Sequence, residues 1–164
     1  LGGSILSQVM DKDFEECPDI EDIKIFPKVY NLICEFIKNE KIIALHDISD
    51  GGLIASVIEM MFASNLGVDI NFDLDENELK KILFSEEPGL VMQLTNKDYI
   101  DLKDQLNTLN FDKIYPLGKT NKQDHLVIKS KTFNKKIKFN ELMKHWSKVS
   151  SEIKKLRDNP KSAE

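Results

Sequence analysis

The chain has little of what usually announces a chemistry. It holds two cysteines in 164 residues, Cys17 and Cys34. They have no metal-ligand spacing, and neither lies in a Gly-x-Cys-x-Gly context, so neither a thiolate metal site nor a thiol nucleophile is indicated. They read as reduced thiols of a cytoplasmic protein, with Cys34 inside a helix. No apolar stretch is long enough to span a bilayer, so no membrane partner is expected. There is no basic stripe and no interleaved aromatic platform, and the formal net charge is −5. Nucleic acid is therefore not an expected partner. A Gly-x-x-x-x-Gly-Lys-Ser/Thr loop is missing, which excludes a P-loop ATPase. No serine sits in a nucleophile elbow, and His125 and His145 have no acidic or cysteine partner at useful spacing. No internal repeat or low-complexity tract stands out. The chain starts on Leu1 with no signal-type segment and ends in a linker-like stretch, so the expectation is a piece of a longer protein.

What is present is an ordinary globular composition, 41% hydrophobic and 31% charged. Its length suits one domain with an appendage. Leu1-Gly-Gly-Ser4 leads into an amphipathic run at Ile5, Leu6, Val9 and Met10, with Ser4 placed as an N-cap. That start reads either as a capped helix or as a backbone-donor site for an anion. Residues 11–28 form an acidic, proline-punctuated loop whose carboxylates read as solvated or as metal ligands. Val29 to Asn39 carries a helical apolar face, and Lys41 to Leu45 a short strand. Leu53 to Ala63 is a second helix. Val68 to Phe72 alternates as a strand, Glu76 to Leu83 is a short helix, and Leu90 to Leu94 is a strand. Lys97 to Leu109 is a helix. Tyr115 to Lys119, His125 to Lys129 and Lys136 to Phe139 read as β segments, the last two as a hairpin. Glu141 to Arg157 is a final helix, stopped by Asn159-Pro160. The pattern predicts an α+β domain with a mixed four- to five-stranded sheet, helices packed on it, and a C-terminal linker helix.

The polar residues concentrate in Ala44-Leu-His-Asp-Ile-Ser-Asp-Gly-Gly-Leu53, where a strand runs into a turn and a helix start. Mg²⁺ prefers hard oxygen ligands and is commonly held by one or two carboxylates together with substrate phosphates. Asp47 and Asp50 supply carboxylates, Ser49 supplies a hydroxyl, and Gly51 and Gly52 allow close backbone approach. In an extended segment Asp47 and Ser49 share a side, which suits Asp47 to a metal and Ser49 to a phosphate or nucleotide. Asp50 faces elsewhere and is the expected helix cap. The same residues equally suit a capped helix with a polar turn and no ligand. His46 reads as a hydrogen-bonded structural residue or as a general base. The turn at Glu86-Glu87-Pro-Gly89 reads as a wall of the same cleft or as a plain helix-to-strand turn.

Three stretches together resemble one family: Leu1-Gly-Gly-Ser4; His46-Asp-Ile-Ser-Asp-Gly-Gly-Leu53 with its helix through Glu59 and Phe62-Ala63; and Phe84-Ser-Glu-Glu-Pro-Gly89. They look like the C-terminal lobe of the aminoimidazole ribonucleotide synthetase superfamily of ATP-binding enzymes. Trp146 to Glu164, with Leu156-Arg-Asp-Asn-Pro160 and Ala163, is similar to the linker of the large single-chain, glutamine-dependent ligases of that superfamily. The resemblance implies an intact enzyme that uses ATP and glutamine-derived ammonia to convert formylglycinamide ribonucleotide into its amidine. It places residues 1–139 in the lobe of a second, auxiliary half that holds Mg²⁺ and ATP or ADP. Residues 140–164 become a linker toward a glutamine amidotransferase domain. By this resemblance Asp47 matches a magnesium ligand and Ser49 a nucleotide contact. The remaining metal ligands would come from an N-terminal synthetase lobe of the same chain. No catalytic residue is carried over, so the piece alone is expected to be inactive. Ile48 fills the variable position of the motif, and Pro88 departs from the pattern. The alternatives are a structural lobe that only docks the glutaminase domain, or the equivalent lobe of a sister enzyme such as a selenophosphate synthetase or thiamine monophosphate kinase.

Overall fold

The structure is a computed structural model that describes all residues except 13, 15, 16, 21 and 159–164. The predicted stop at Asn159-Pro160 therefore lies outside the described residues, as do parts of the acidic loop. The chain opens with α1 (Ile5–Met10), where the Ser4 side chain accepts from the Ser7 amide. Next come α2 (Phe26–Lys38) and β1 (Ile42–Asp47). The loop expected to reach residue 28 ends three residues earlier, at residue 25, because Pro27 stands in the first helical turn. Proline is tolerated there, since its missing N–H has no helical partner to lose.

After β1 come α3 (Gly52–Ser64), β2 (Gly67–Asn71), α4 (Glu76–Phe84), β3 (Leu90–Leu94) and α5 (Asn96–Thr108). Each helix boundary has a local cause. Asn65 closes α3 in the left-handed conformation, φ 54°. Asp75 opens α4 with a reciprocal capping box to Glu78, and Thr95 caps α5. The chain finishes with β4 (Gly118–Asn121), β5 (His125–Lys129), β6 (Asn134–Lys138) and α6 (Phe139–Arg157). The strand expected at Tyr115 to Lys119 is displaced toward the C-terminus. Pro116 has no N–H to give a ladder. Pairing with β2 runs from Ile70↔Gly118 to Gly67↔Asn121.

The strands form a four-stranded mixed sheet ordered β4-β2-β5-β6 and a two-stranded antiparallel ribbon, β1-β3. In the sheet β2 and β5 are parallel, while β4 and β6 flank them antiparallel. This is the α+β arrangement expected, with the hairpin across β5 and β6 in place. Two apolar cores position the ribbon. The first joins α3, α4 and the sheet through Leu53, Val57, Met61, Ile70, Leu79, Leu83, Leu126 and Ile128, and takes Val91 from β3. The second joins α2 and α5 through Leu32, Phe36, Leu102 and Leu106, with Ile42, Met92 and Leu94 of the ribbon packed on it. Each fully buried side chain of this kind contributes about 1.5–3 kcal/mol. The ribbon is thus held from both sides, and the turn leaving β1 starts from a fixed base.

Candidate functional site

The alternation of β1 decides which way each polar residue points. His46 is half-buried and Asp47 exposed, its side chain 72% accessible. The His46 Nδ1–H donates to the Asp47 carbonyl at 2.7 Å, and Nε2 lies 3.2 Å from Glu59 Oε2 on α3. Both ring nitrogens are therefore engaged, which supports the structural reading of this histidine over that of a general base. The Asp47 carbonyl also accepts from Ser56 Oγ at 2.8 Å, and Ser56 is buried on α3. The backbone of Asp47 is pinned while its carboxylate faces outward.

The turn itself is closed by Gly52 N–H to the Ser49 carbonyl, 2.9 Å. Gly51 (φ 88°) and Gly52 (φ 75°) are both left-handed, and Gly51 is the N-cap of α3 with no side-chain cap. This corrects the assignment of Asp50 as the cap. Two consecutive positive-φ residues carry the chain into the helix, which places glycine rather than an acidic residue at the cap. A Cβ on Gly52 would stand 2.8 Å from the carbonyl carbon of Phe84 and the carbonyl oxygen of Ser85. Ser49 and Asp50 are exposed on the outer side of the turn.

The segment 85–89 supports this turn directly. Ile48 N–H donates to the Gly89 carbonyl at 2.8 Å. A Cβ on Gly89 would meet Ile48 Cδ1 at 2.9 Å, so this glycine serves close packing. One oxygen of Glu86, Oε1, accepts from Gly51 N–H at 2.9 Å and from Ile5 N–H at 2.8 Å. The second and third stretches singled out in the sequence, and Ile5 directly after the first, therefore meet at one atom. The same contact bears on the anion question at the start of α1. There the Ile5 amide is already given to a carboxylate of the chain, and the Ser7 amide to Ser4 Oγ. Two amides at the start of α1 are thus already paired within the chain, which favours the capped-helix reading.

The described residues contain no group of three or more His, Cys, Asp or Glu side chains able to hold a metal. The turn exposes the carboxylates of Asp47 and Asp50 and the hydroxyl of Ser49, of which Asp47 and Ser49 are the predicted ligands. That is a partial donor set of hard oxygens. It fits Mg²⁺, which takes few protein ligands and fills its remaining positions with water and phosphate. The residues sequence reasoning did not assign are Glu59, Ser56 and Trp146. The Trp146 indole N–H donates to Glu59 Oε1 at 3.2 Å, so α6 reaches the carboxylate that faces His46. The sequence placed Trp146 on the final helix and in the linker-like stretch, but its partner lies 87 residues away.

Comparison with known proteins fits this geometry. The family model described as AIR synthase related protein, C-terminal domain, matches residues 1–131. Phosphoribosylformylglycinamidine synthase of Saccharomyces cerevisiae is 37% identical over an alignment covering all of this chain. The chain spans 13% of the length of that relative. Among solved structures, Thermotoga maritima PurL complexed with FGAR matches 70% of this chain and 20% of its own at 15% identity, TM-score 0.58. The same protein has been solved with ATP and with ADP. A chain of a HypE–HypF complex matches 84% of this chain and 48% of its own at 16% identity, TM-score 0.55.

Proposed function

The chain belongs to the family of AIR synthase related proteins, as a C-terminal domain of that family, and from this we propose that it is a lobe of a phosphoribosylformylglycinamidine synthase. The activity of the longer protein is then an ATP-dependent carbon–nitrogen ligation with glutamine as ammonia donor, converting formylglycinamide ribonucleotide to its amidine in purine synthesis. Within it this lobe supplies Asp47 and Ser49 to an auxiliary Mg²⁺–nucleotide site. The observation that carries the reading is the turn itself. Its backbone is fixed at Asp47, Ile48, Gly51 and Gly52, yet the Asp47 carboxylate and the Ser49 hydroxyl face outward.

Asp47 would give a carboxylate oxygen to the metal, and the Ser49 hydroxyl would donate to a nucleotide oxygen. The metal, when bound, neutralises phosphate charge. The remaining ligands would come from an N-terminal synthetase lobe of the same protein, facing the exposed side of β1. No bond-making is assigned to this lobe; its residues hold a nucleotide and exclude movement of the turn. The organisation that goes with this is a lobe over residues 1–139 and a linker helix over 140–164 leading to a glutaminase domain. The exposed apolar residues of α6, Val149, Ile153 and Leu156, support a helix built to be covered. A cytoplasmic location goes with such an enzyme; among the described residues no helix is long and apolar enough to cross a membrane.

The test uses the full-length protein. Asp47→Asn removes the charge at the metal and is expected to weaken Mg²⁺–ADP binding about tenfold or more, since charge-assisted contacts carry roughly 1.5–3 kcal/mol. Ser49→Ala should weaken it less. Isothermal titration with ADP and Mg²⁺ reads both. Unchanged affinity in Asp47→Asn contradicts the assignment and favours a lobe that only docks the glutaminase domain.

A further inference from the structure

We propose that Glu86 is a positioning residue for the nucleotide-binding turn, holding residues 48–52 in the arrangement that presents Asp47 and Ser49. The inference rests on the Mg²⁺–nucleotide reading above and adds a residue that touches neither metal nor nucleotide.

The argument begins with what one oxygen does. Glu86 Oε1 accepts from Gly51 N–H, 35 residues away, and from Ile5 N–H, 81 residues away. Gly51 is the N-cap of α3, and Ile5 is the first residue of α1. Both amides belong to helix starts, where donors lack helical partners and the dipole favours negative charge. Glu86 is half-buried, so the paired carboxylate is partly shielded from competing water.

This carboxylate joins backbone contacts on either side of it to clamp the middle of the turn. On one side of Gly51, Ile48 N–H is bonded to the Gly89 carbonyl. On the other, Gly52 is pressed against the backbone of Phe84 and Ser85. Between them the Gly51 amide is given to Glu86. Gly51 at φ 88° is the most permissive joint of the turn, since glycine moves readily between conformations. Fixing its N–H removes the freedom that would let Ser49 swing relative to Asp47. The bond to Ile5 anchors the same carboxylate from the far side and ties the turn to the first helix of the chain.

Glu86 Oε1 is engaged by two N–H donors of the chain itself, which suits this carboxylate to holding the turn.

The experiment compares Glu86→Ala, Glu86→Asp, Glu86→Gln and Asp47→Asn in the full-length protein. Three quantities are read: the Kd for ADP with Mg²⁺, the Tm without nucleotide, and amide hydrogen exchange at Gly51 and Ile5. Glu86→Ala should raise Kd about tenfold, the worth of a hydrogen bond to a charged group, and speed exchange at both amides together. Glu86→Asp keeps the charge but is one methylene shorter, and should raise Kd in the same direction. Glu86→Gln keeps an oxygen acceptor and should stay within about threefold of the wild type. Wild-type Kd in Glu86→Ala or Glu86→Asp overturns the inference, even if the Tm falls. A loss in Glu86→Gln equal to that in Glu86→Ala also overturns it, because charge at the ligand would then be the cause. If Asp47→Asn weakens binding and the Glu86 variants do not, only this inference fails. If Asp47→Asn has no effect, the nucleotide reading itself fails and this inference with it.

Discussion

Adjacent residues on β1 take different work because the strand turns them to opposite faces. Asp47 faces out with its backbone carbonyl bonded to Ser56 and His46, while His46 faces in toward Glu59. The motif told where these side chains were, and the period of two told that they diverge. It did not tell what held them, since Ser56 and Glu59 act across a helix. Glu86 was visible only as part of a polar turn, because its partners are far away in sequence. The Asp50 assignment failed for a different reason: helix-cap preferences favour acidic residues, but two positive-φ glycines carry the chain into α3. A second residue-scale case lies away from the site. Lys41 Nζ sits 2.6 Å from Asp101 Oδ2, and the Gln105 amide bonds the other oxygen at 2.9 Å. The hydrogen bond from Lys41, then that from Gln105, holds the Asp101 carboxyl below its ordinary 3.8. A depressed carboxyl adds stability above the unfolded value and loses it as pH falls through the folded one. The contribution of this pair should therefore be complete above about pH 4 and fade below it. An NMR titration of Asp101 should show a low midpoint that moves back toward the ordinary value in Lys41→Met.

At the scale of elements, the approach of α4's end to the start of α3 is a tight constraint on the site turn. A Cβ on Gly52 would meet backbone atoms of Phe84 and Ser85 at 2.8 Å, whereas one on Gly51 would meet the Ala55 Cβ at 2.9 Å. Gly52→Ala should therefore cost more than Gly51→Ala. We expect about 3 kcal/mol or more against about 1–2 kcal/mol, since both incur left-handed strain and only the former must displace backbone. Urea denaturation of the two variants checks the order; equal losses would mean that residues 84–85 yield easily. Helices and most strands were readable because their apolar periods are regular, and Leu90 to Leu94 was placed without error. Where proline intervened the period misled: Pro27 lies inside a helix, and Pro116 lies before a strand rather than in one.

At the scale of the molecule, two apolar cores grip one ribbon, and the site turn leaves that ribbon between them. The composition and length foretold a packed α+β domain, but not that its core would divide. That division depends on which faces of β1 and β3 meet which helices, and no local pattern encodes it. The long helix α6 is fixed at its start. Phe139 and Trp146 make edge contacts with Phe62, and Trp146 bonds Glu59. Trp146→Ala should release this helix, seen as faster amide exchange over residues 142–157, while α5 keeps its protection. Unchanged exchange would mean that Phe139 alone secures it. Since Glu59 also faces His46, the same variant should alter the His46 ring signals in NMR.

The central claim is that the outward face of the 46–52 turn is one wall of a metal–nucleotide site. It is tested most directly by diffraction from the full-length protein crystallised with ADP and Mn²⁺ as an anomalous substitute for Mg²⁺. The account predicts an anomalous peak at coordination distance, about 2.1 Å, from a carboxylate oxygen of Asp47, with the nucleotide against Ser49. Bound Mn²⁺–ADP whose metal lies away from Asp47, with Ser49 facing solvent, would contradict it.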